Sequence, residues 1–169
     1  MLMKSKGALI AFSIFMVVGA FLSKSAQAEC REGEESRTTT GAVFTCDTTH
    51  FLLGEAWRDP RRLIWGDSVK MADGTIHRMN HHDATNYCAS IGARLPSKKE
   101  FTLLREDMMD RVGTYKFFNP QILPNLFDWF WSSSVNPNNT DFGYAFLASG
   151  DILLDNRSHH AAVRCVVSR

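Results

Sequence analysis

The chain has 169 residues, 44% of them hydrophobic, and 19 basic against 18 acidic residues give a net charge of +1. That length supports one domain with a core of its own. The near-neutral balance excludes bulk electrostatic binding to nucleic acid, and no internal repeat or low-complexity tract breaks the sequence.

Lys4 and Lys6 precede an apolar run from Ala8 to Leu22, and Ala26-Gln27-Ala28 follows it. This is the pattern of a secretory signal peptide, cut after Ala28. The apolar run is short for a membrane span, so no membrane insertion is expected after cleavage. Glu29 separates the small residues from Cys30, which argues against a lipoprotein. Loss of residues 1–28 removes Lys4, Lys6 and Lys24 and no acid, which takes the balance from +1 to −2.

Four cysteines follow: Cys30, Cys46, Cys88 and Cys165. An even count in an exported chain reads as disulfides. Of the three pairings, Cys30–Cys46 joins two near neighbours in a polar stretch, and Cys88–Cys165 joins the apolar segments that bracket the core. Zinc is the weaker reading, since no C-x-x-C pair exists.

Residues 29–50 are polar and aperiodic and read as an extended, disulfide-stapled arm or a strand with loops. The core is expected to begin at Phe51. Apolar runs at Phe51–Trp57 and Leu63–Trp65 flank the turn Arg58-Asp59-Pro60. Asp73-Gly74 is a hairpin signal between Val69–Met71 and Thr75–His77. Asn80 with Asp83 predicts a helix start. Ala84, Tyr87, Cys88 and Ile91 form one apolar helical face, and Gly92 supplies the stop. Ser97 and Glu100 form a capping box behind Pro96, and Phe101, Leu104 and Met108 are the buried stripe of a second helix, with Leu103 beside it. Residues 110–130, rich in Pro, Asn and aromatics, read as a long packed loop. Trp131–Val135 is a strand, 136–141 a polar loop, 144–148 and 152–154 the arms of a hairpin, and Ala161–Val167 a closing strand. Strands, two helices, then an antiparallel meander make this an α+β protein.

Four segments in order carry a resemblance. Trp57-Arg58-Asp59-Pro60 with Leu63-Ile64-Trp65, then Arg94-Leu95-Pro96-Ser97-Lys98-Lys99-Glu100-Phe101, then Trp131-Ser132-Ser133-Ser134, then Tyr144-Ala145-Phe146 through Gly150 to Val163-Arg164-Cys165-Val166 resemble the bacterial Lcl C-terminal-like domains. These are a family of unknown function that includes the C-terminal domains of collagen-like adhesins. The resemblance implies a C-type-lectin-like fold over residues 55–169: two helices packed on short antiparallel sheets with long loops, and a disulfide from the first helix to the last strand. Residues 1–28 are then the signal peptide and 29–54 the arm. Residues 84–100 also resemble the formylglycine-generating enzyme family through A-x-x-Y-C-x-x-x-G-x-R-L-P-S-x-x-E. Those enzymes need a reactive cysteine pair near the C-terminus, where this chain has Cys165 alone. Iron oxygenases of the same fold use H-x-x-x-H-x-E, and His77, His81 and Asp83 come close to it. The simpler reading makes His81 to Asp83 a helix first turn.

Candidate binding residues fall in loops, where function concentrates on a rigid scaffold. Asn136, Asn138, Asn139 and Asp141 offer oxygen atoms that suit Ca2+, although a solvated turn reads the same way, and no cofactor is expected. Asp155, Asn156, Arg157, His159 and His160 form a second cluster suited to an anionic group. Arg58, Arg61 and Arg62 form a third. Trp129 or Phe130, within the dense set that includes Phe117, Phe118, Phe127 and Trp131, would stack a sugar if exposed; such aromatics are more often core. No catalytic motif appears. The expectation is an exported, non-enzymatic recognition module, periplasmic or at the cell surface, that binds a glycan or an envelope protein, with its oligomeric state open. The alternatives are a metal-dependent enzyme of the two types named and a structural envelope protein.

Overall fold

The computed structural model describes residues 30–108, 123, 128–147 and 151–168. Residues 1–29, 109–122, 124–127, 148–150 and 169, with Phe117, Phe118, Phe127 and most of the stretch read as a loop over 110–130, lie outside the described residues.

The chain is mixed α+β, with two α-helices and two five-stranded sheets among the described residues. Its strands are β1 (Glu35–Arg37), β2 (Val43–Cys46), β3 (Trp57–Arg58), β4 (Leu63–Ser68), β5 (Arg78–Met79), β6 (Trp129–Val135), β7 (Phe142–Leu147), β8 (Ile152–Asn156), β9 (Ala161–Ala162) and β10 (Arg164–Ser168). The helices are α1 (His81–Ser90) and α2 (Lys98–Met108). One sheet has the order β1-β2-β3-β4-β10 and is antiparallel throughout. The other has the order β5-β9-β6-β7-β8, with β6 and β9 parallel and the remaining pairs antiparallel.

Both disulfides form as expected, Cys30–Cys46 and Cys88–Cys165. The second ties α1 to β10. Helix α1 begins on Asn80, whose side-chain oxygen accepts the Asp83 N–H at 2.9 Å. It ends at Gly92 (φ 72°) with two closing bonds, Gly92 N–H to Ala89 C=O and Ala93 N–H to Cys88 C=O. A residue with a Cβ would be strained at that φ. Helix α2 begins on the reciprocal box: the Ser97 N–H donates to Glu100 at 2.7 Å and the Glu100 N–H donates to Ser97 Oγ at 3.2 Å. Phe101, Leu104 and Met108 are its buried face.

The core has two parts, and two strands serve both. Along β4, Trp65 joins Phe44, Trp57, Phe101, Leu104 and Phe146, while Ile64 joins Leu53, Ala84, Cys88, Leu95 and Val163. Along β6, Phe130 and Trp131 divide the same way. Neighbouring residues of a strand face opposite sides, so apolar groups in succession mean both faces are covered. Phe101 links the layers, stacked on Phe146 at 4.6 Å and tilted against Trp65 at 5.5 Å.

Three expectations change. The stretch 29–50 is not outside the core. It supplies β1 and β2, β2 pairs with β3, and Phe44 and Cys46 are buried. Trp129 and Phe130 belong to β6 rather than to the preceding loop. The closing strand is two strands: Ala161-Ala162 lies in one sheet, and after Val163 the chain crosses to pair with β4 in the other. Val163 itself is buried, and its C=O accepts the Val69 N–H at 3.0 Å.

Candidate functional site

The motifs of the resemblance turn inward. Asp59 is buried, and its carboxylate accepts the N–H groups of Arg61 and Leu63, each at 2.9 Å, and the Trp65 indole N–H at 3.1 Å. The W-R-D-P…L-I-W segment is therefore a hairpin held by one carboxylate. Arg94 grips Glu100 with two bonds of 2.8 and 2.6 Å, so the R-L-P-S-K-K-E segment locks the entry of α2. In W-S-S-S, Ser133 N–H donates to the Pro96 C=O, and Ser134 Oγ accepts the Lys98 N–H at the start of α2. In V-R-C-V, Arg164 is fully buried and donates to the Gly66 C=O and Ser68 Oγ. Burial lowers its pKa to about 10, and the Asp67 carboxylate at 3.8 Å opposes that, so it stays charged at neutral pH.

Loops 136–141 and 155–160 converge. Strand β7 leaves the first and β8 enters the second, and these strands pair from Phe142↔Asn156 to Phe146↔Ile152. Arg157 joins the loops: its N–H donates to the Asp141 C=O and its Nη1 to the Thr140 C=O, both at 2.9 Å. It also reaches α1. Arg157 Nε donates to His81 Nδ1 at 3.2 Å, and the His81 N–H donates to the Arg157 C=O at 3.0 Å. His81 Nε2 lies 2.9 Å from the Ser132 C=O, and its ring meets Trp131 edge-on at 5.3 Å. Nδ1 accepts, so Nε2 carries the proton and the ring is neutral. Burial lowers the His81 pKa, the Ser132 carbonyl acts against that, and the charge of Arg157 adds to it. Gly143 makes this approach possible. A Cβ there would stand 3.2 Å from the His81 ring and 3.3 Å from Arg157 Cγ.

The loops form one surface, and its side chains divide into two kinds. Asn136 Oδ1 accepts the Asn138 N–H and Asn139 Oδ1 accepts the Asp141 N–H, both at 3.0 Å, so these amides hold the loop's own turns. Asn156 Oδ1 does the same for Ser158, and Asp155 pairs with His159 Nδ1 at 2.8 Å. Asn138, Asn139, Asp141, His159 and His160 are exposed, while Asn136, Asp155, Asn156 and Arg157 are half-buried. Trp129 lies half-buried in β6 opposite Leu147. Phe130 is fully buried and cannot be a sugar platform.

Two of the oxygen atoms considered for Ca2+, Asn136 Oδ1 and Asn139 Oδ1, each accept a backbone N–H, and a guanidinium lies on the loop's own Thr140 carbonyl. At the second candidate metal set, His81 has both ring nitrogens engaged, which leaves it no lone pair for a metal beside His77 and Asp83. Among the described residues, no three His, Cys, Asp or Glu side chains gather as ligands would, and no helix is long and apolar enough to cross a membrane.

The arginine cluster divides. Arg58 pairs with buried Asp47, and Arg61 with Asp107. Arg62 sits at φ 71° in the β3–β4 turn and, with Arg61, Lys99, Ser97, Ser168 and Leu103, lines a groove of about 340 Å3. A second groove, of about 220 Å3, lies between Leu52, Lys70, Tyr87 and Ile91. Neither is lined by the converging loops.

Reasoning from sequence treated His81 only as a metal candidate and missed its part in the loop surface. It also passed over Asp47 and Arg164, although a lone charge within an apolar run such as Ala162-Val163-Arg164-Cys165-Val166 is itself a signal of a buried, bonded group.

No protein-family model and no curated protein matches this chain.

Proposed function

We propose that this chain is an exported, non-enzymatic recognition module with a C-type-lectin-like fold, presenting the joined loops 136–141 and 155–160 to a glycan or an envelope protein. The observation that carries this reading is Arg157. It spends two guanidinium nitrogens and both backbone groups on fixing two loops and the start of α1 in one surface. A binding surface gains affinity when its loops are ordered before the ligand arrives, and this one is ordered by bonds that need no ligand. Two helices, two sheets and a disulfide from the first helix to the last strand support the fold. Two disulfides together with the leader pattern of residues 1–28 support export to an oxidising compartment.

The enzymatic readings have less support. A formylglycine-type enzyme needs a reactive cysteine pair near the C-terminus, where Cys165 stands alone and is bridged to Cys88, and the histidine that an iron oxygenase would use is bonded on both sides. A glycan and envelope-protein array probed with the oxidised mature protein tests the proposal. Specific binding that falls with Arg157→Ala is expected, and binding unchanged by that substitution would reject the site.

A further inference from the structure

The outer edges of the two sheets differ in how they are protected. Strand β1 has three residues, including exposed Glu35 and Arg37, and β5 has two. On β10, the Val166 N–H and C=O are already bonded to Arg94 at 2.8 and 3.0 Å. Among the described residues, strand β8 is the exception: five residues, Ile152–Asn156, at the edge of its sheet, with Leu153 47% and Leu154 49% exposed. Successive residues face opposite sides, so this edge shows an apolar residue on each side. No proline or lysine blunts it, as edge strands usually require.

The backbone states which groups are open. The Leu147 N–H donates to the Asp151 C=O, and the Arg157 N–H donates to the Asp141 C=O. Antiparallel pairing alternates, so residues 153 and 155 also turn their polar groups toward β7, and 152, 154 and 156 turn theirs outward. Asn156 is already served, because its N–H donates to Asp155 Oδ1 at 2.8 Å and its C=O accepts the His159 N–H at 2.9 Å. Ile152 and Leu154 remain, placed symmetrically about Leu153.

We propose that two copies of this chain pair through β8, antiparallel, around a twofold axis at Leu153. In that register Ile152 of one copy lies opposite Leu154 of the other. All four open N–H and C=O groups on each strand are bonded. Leu153 meets Leu153 on one side of the sheet, and Ile152 meets Leu154 on the other. Shifting the pairing by two residues either uses the occupied groups of Asn156 or leaves Leu154 without an apolar partner on this strand. The second copy is thus the occupant that matches both the backbone and the side chains. The joined sheet ends in the two-residue β5 on both sides, so assembly stops at the dimer. The same register sets Asp151 opposite Asp155 of the other copy, whose carboxylate is already paired with its own His159 at 2.8 Å.

Sedimentation velocity of the oxidised mature protein, taken to about 1 mM protein to capture a weak complex, tests this. The wild type is expected to show a concentration-dependent monomer–dimer equilibrium. Leu153→Glu and Leu153→Lys, substitutions at an exposed site, are each expected to be monomeric. An equimolar mixture of the two restores the dimer, because residue 153 faces itself across the axis. A wild type that stays monomeric, a dimer that survives Leu153→Glu, or a mixture that remains monomeric would overturn the proposal. Circular dichroism on each variant separates loss of pairing from loss of fold.

Discussion

Four buried polar side chains hold the interior together: Asp47, Asp59, His81 and Arg164. Each replaces water with bonds from the chain itself, the condition for burying a polar group without a large cost. Asp59→Ala leaves two backbone N–H groups and the Trp65 indole without their acceptor. At about 1 kcal/mol or more for each orphaned donor, the expected loss is about 3 kcal/mol, measured as a lower urea midpoint with unchanged slope. Asp47 gives a pH prediction. Burial alone would raise its pKa, but hydrogen bonds from Thr49, Arg58 and His50 outweigh that and hold it at about 2, below its ordinary 3.8. Its folded value is depressed, so its stabilisation is complete above pH ~4 and is lost as pH falls through ~2, in all about 2 kcal/mol. Stability measured across that window should fall in the wild type more steeply than in Asp47→Asn. An equal slope in both would contradict the assignment.

Elements fixed by neighbours in the chain were legible; elements fixed from a distance were not. Asn80 with Asp83, Gly92, and Ser97 with Glu100 mark helix ends within a few residues, and those ends stand where the sequence places them. The membership of β1 and β2 in the first sheet depends on Cys46 meeting Trp57, and polar composition hid the single buried face that Phe44 and Cys46 share. The crossing at Val163 was invisible because Ala161–Val167 is apolar on both sides of Arg164, and such a run does not say which sheet each half joins. The two crossing halves are anchored by the disulfide between α1 and β10. It spans 77 residues of sequence, and a loop of that size corresponds to about 4–5 kcal/mol on the chain-entropy account. Replacing Cys88 and Cys165 together by Ser should lower stability by that order. A loss under about 1 kcal/mol would mean that the unfolded chain is little constrained by the bridge.

In the molecule as a whole, the candidate site was half legible. The two polar loops could be read from their composition, but their union could not, because it rests on Arg157 reaching His81 across 76 residues of sequence. Nor does any spacing show that Gly143 clears the room for that contact. In the proposed reading the fold holds this one surface, while the motifs that carry the resemblance serve the interior. The side-by-side affinity of Arg157→Ala and Arg62→Ala for a ligand found on the array tests it most directly, since Arg62 lines the groove beside α2 and Arg157 joins the loops. The account predicts that Arg157→Ala weakens binding roughly tenfold or more, as loss of about 1.4 kcal/mol does, and that Arg62→Ala leaves it unchanged. Binding lost with Arg62→Ala and kept with Arg157→Ala would contradict it and move the site to the groove.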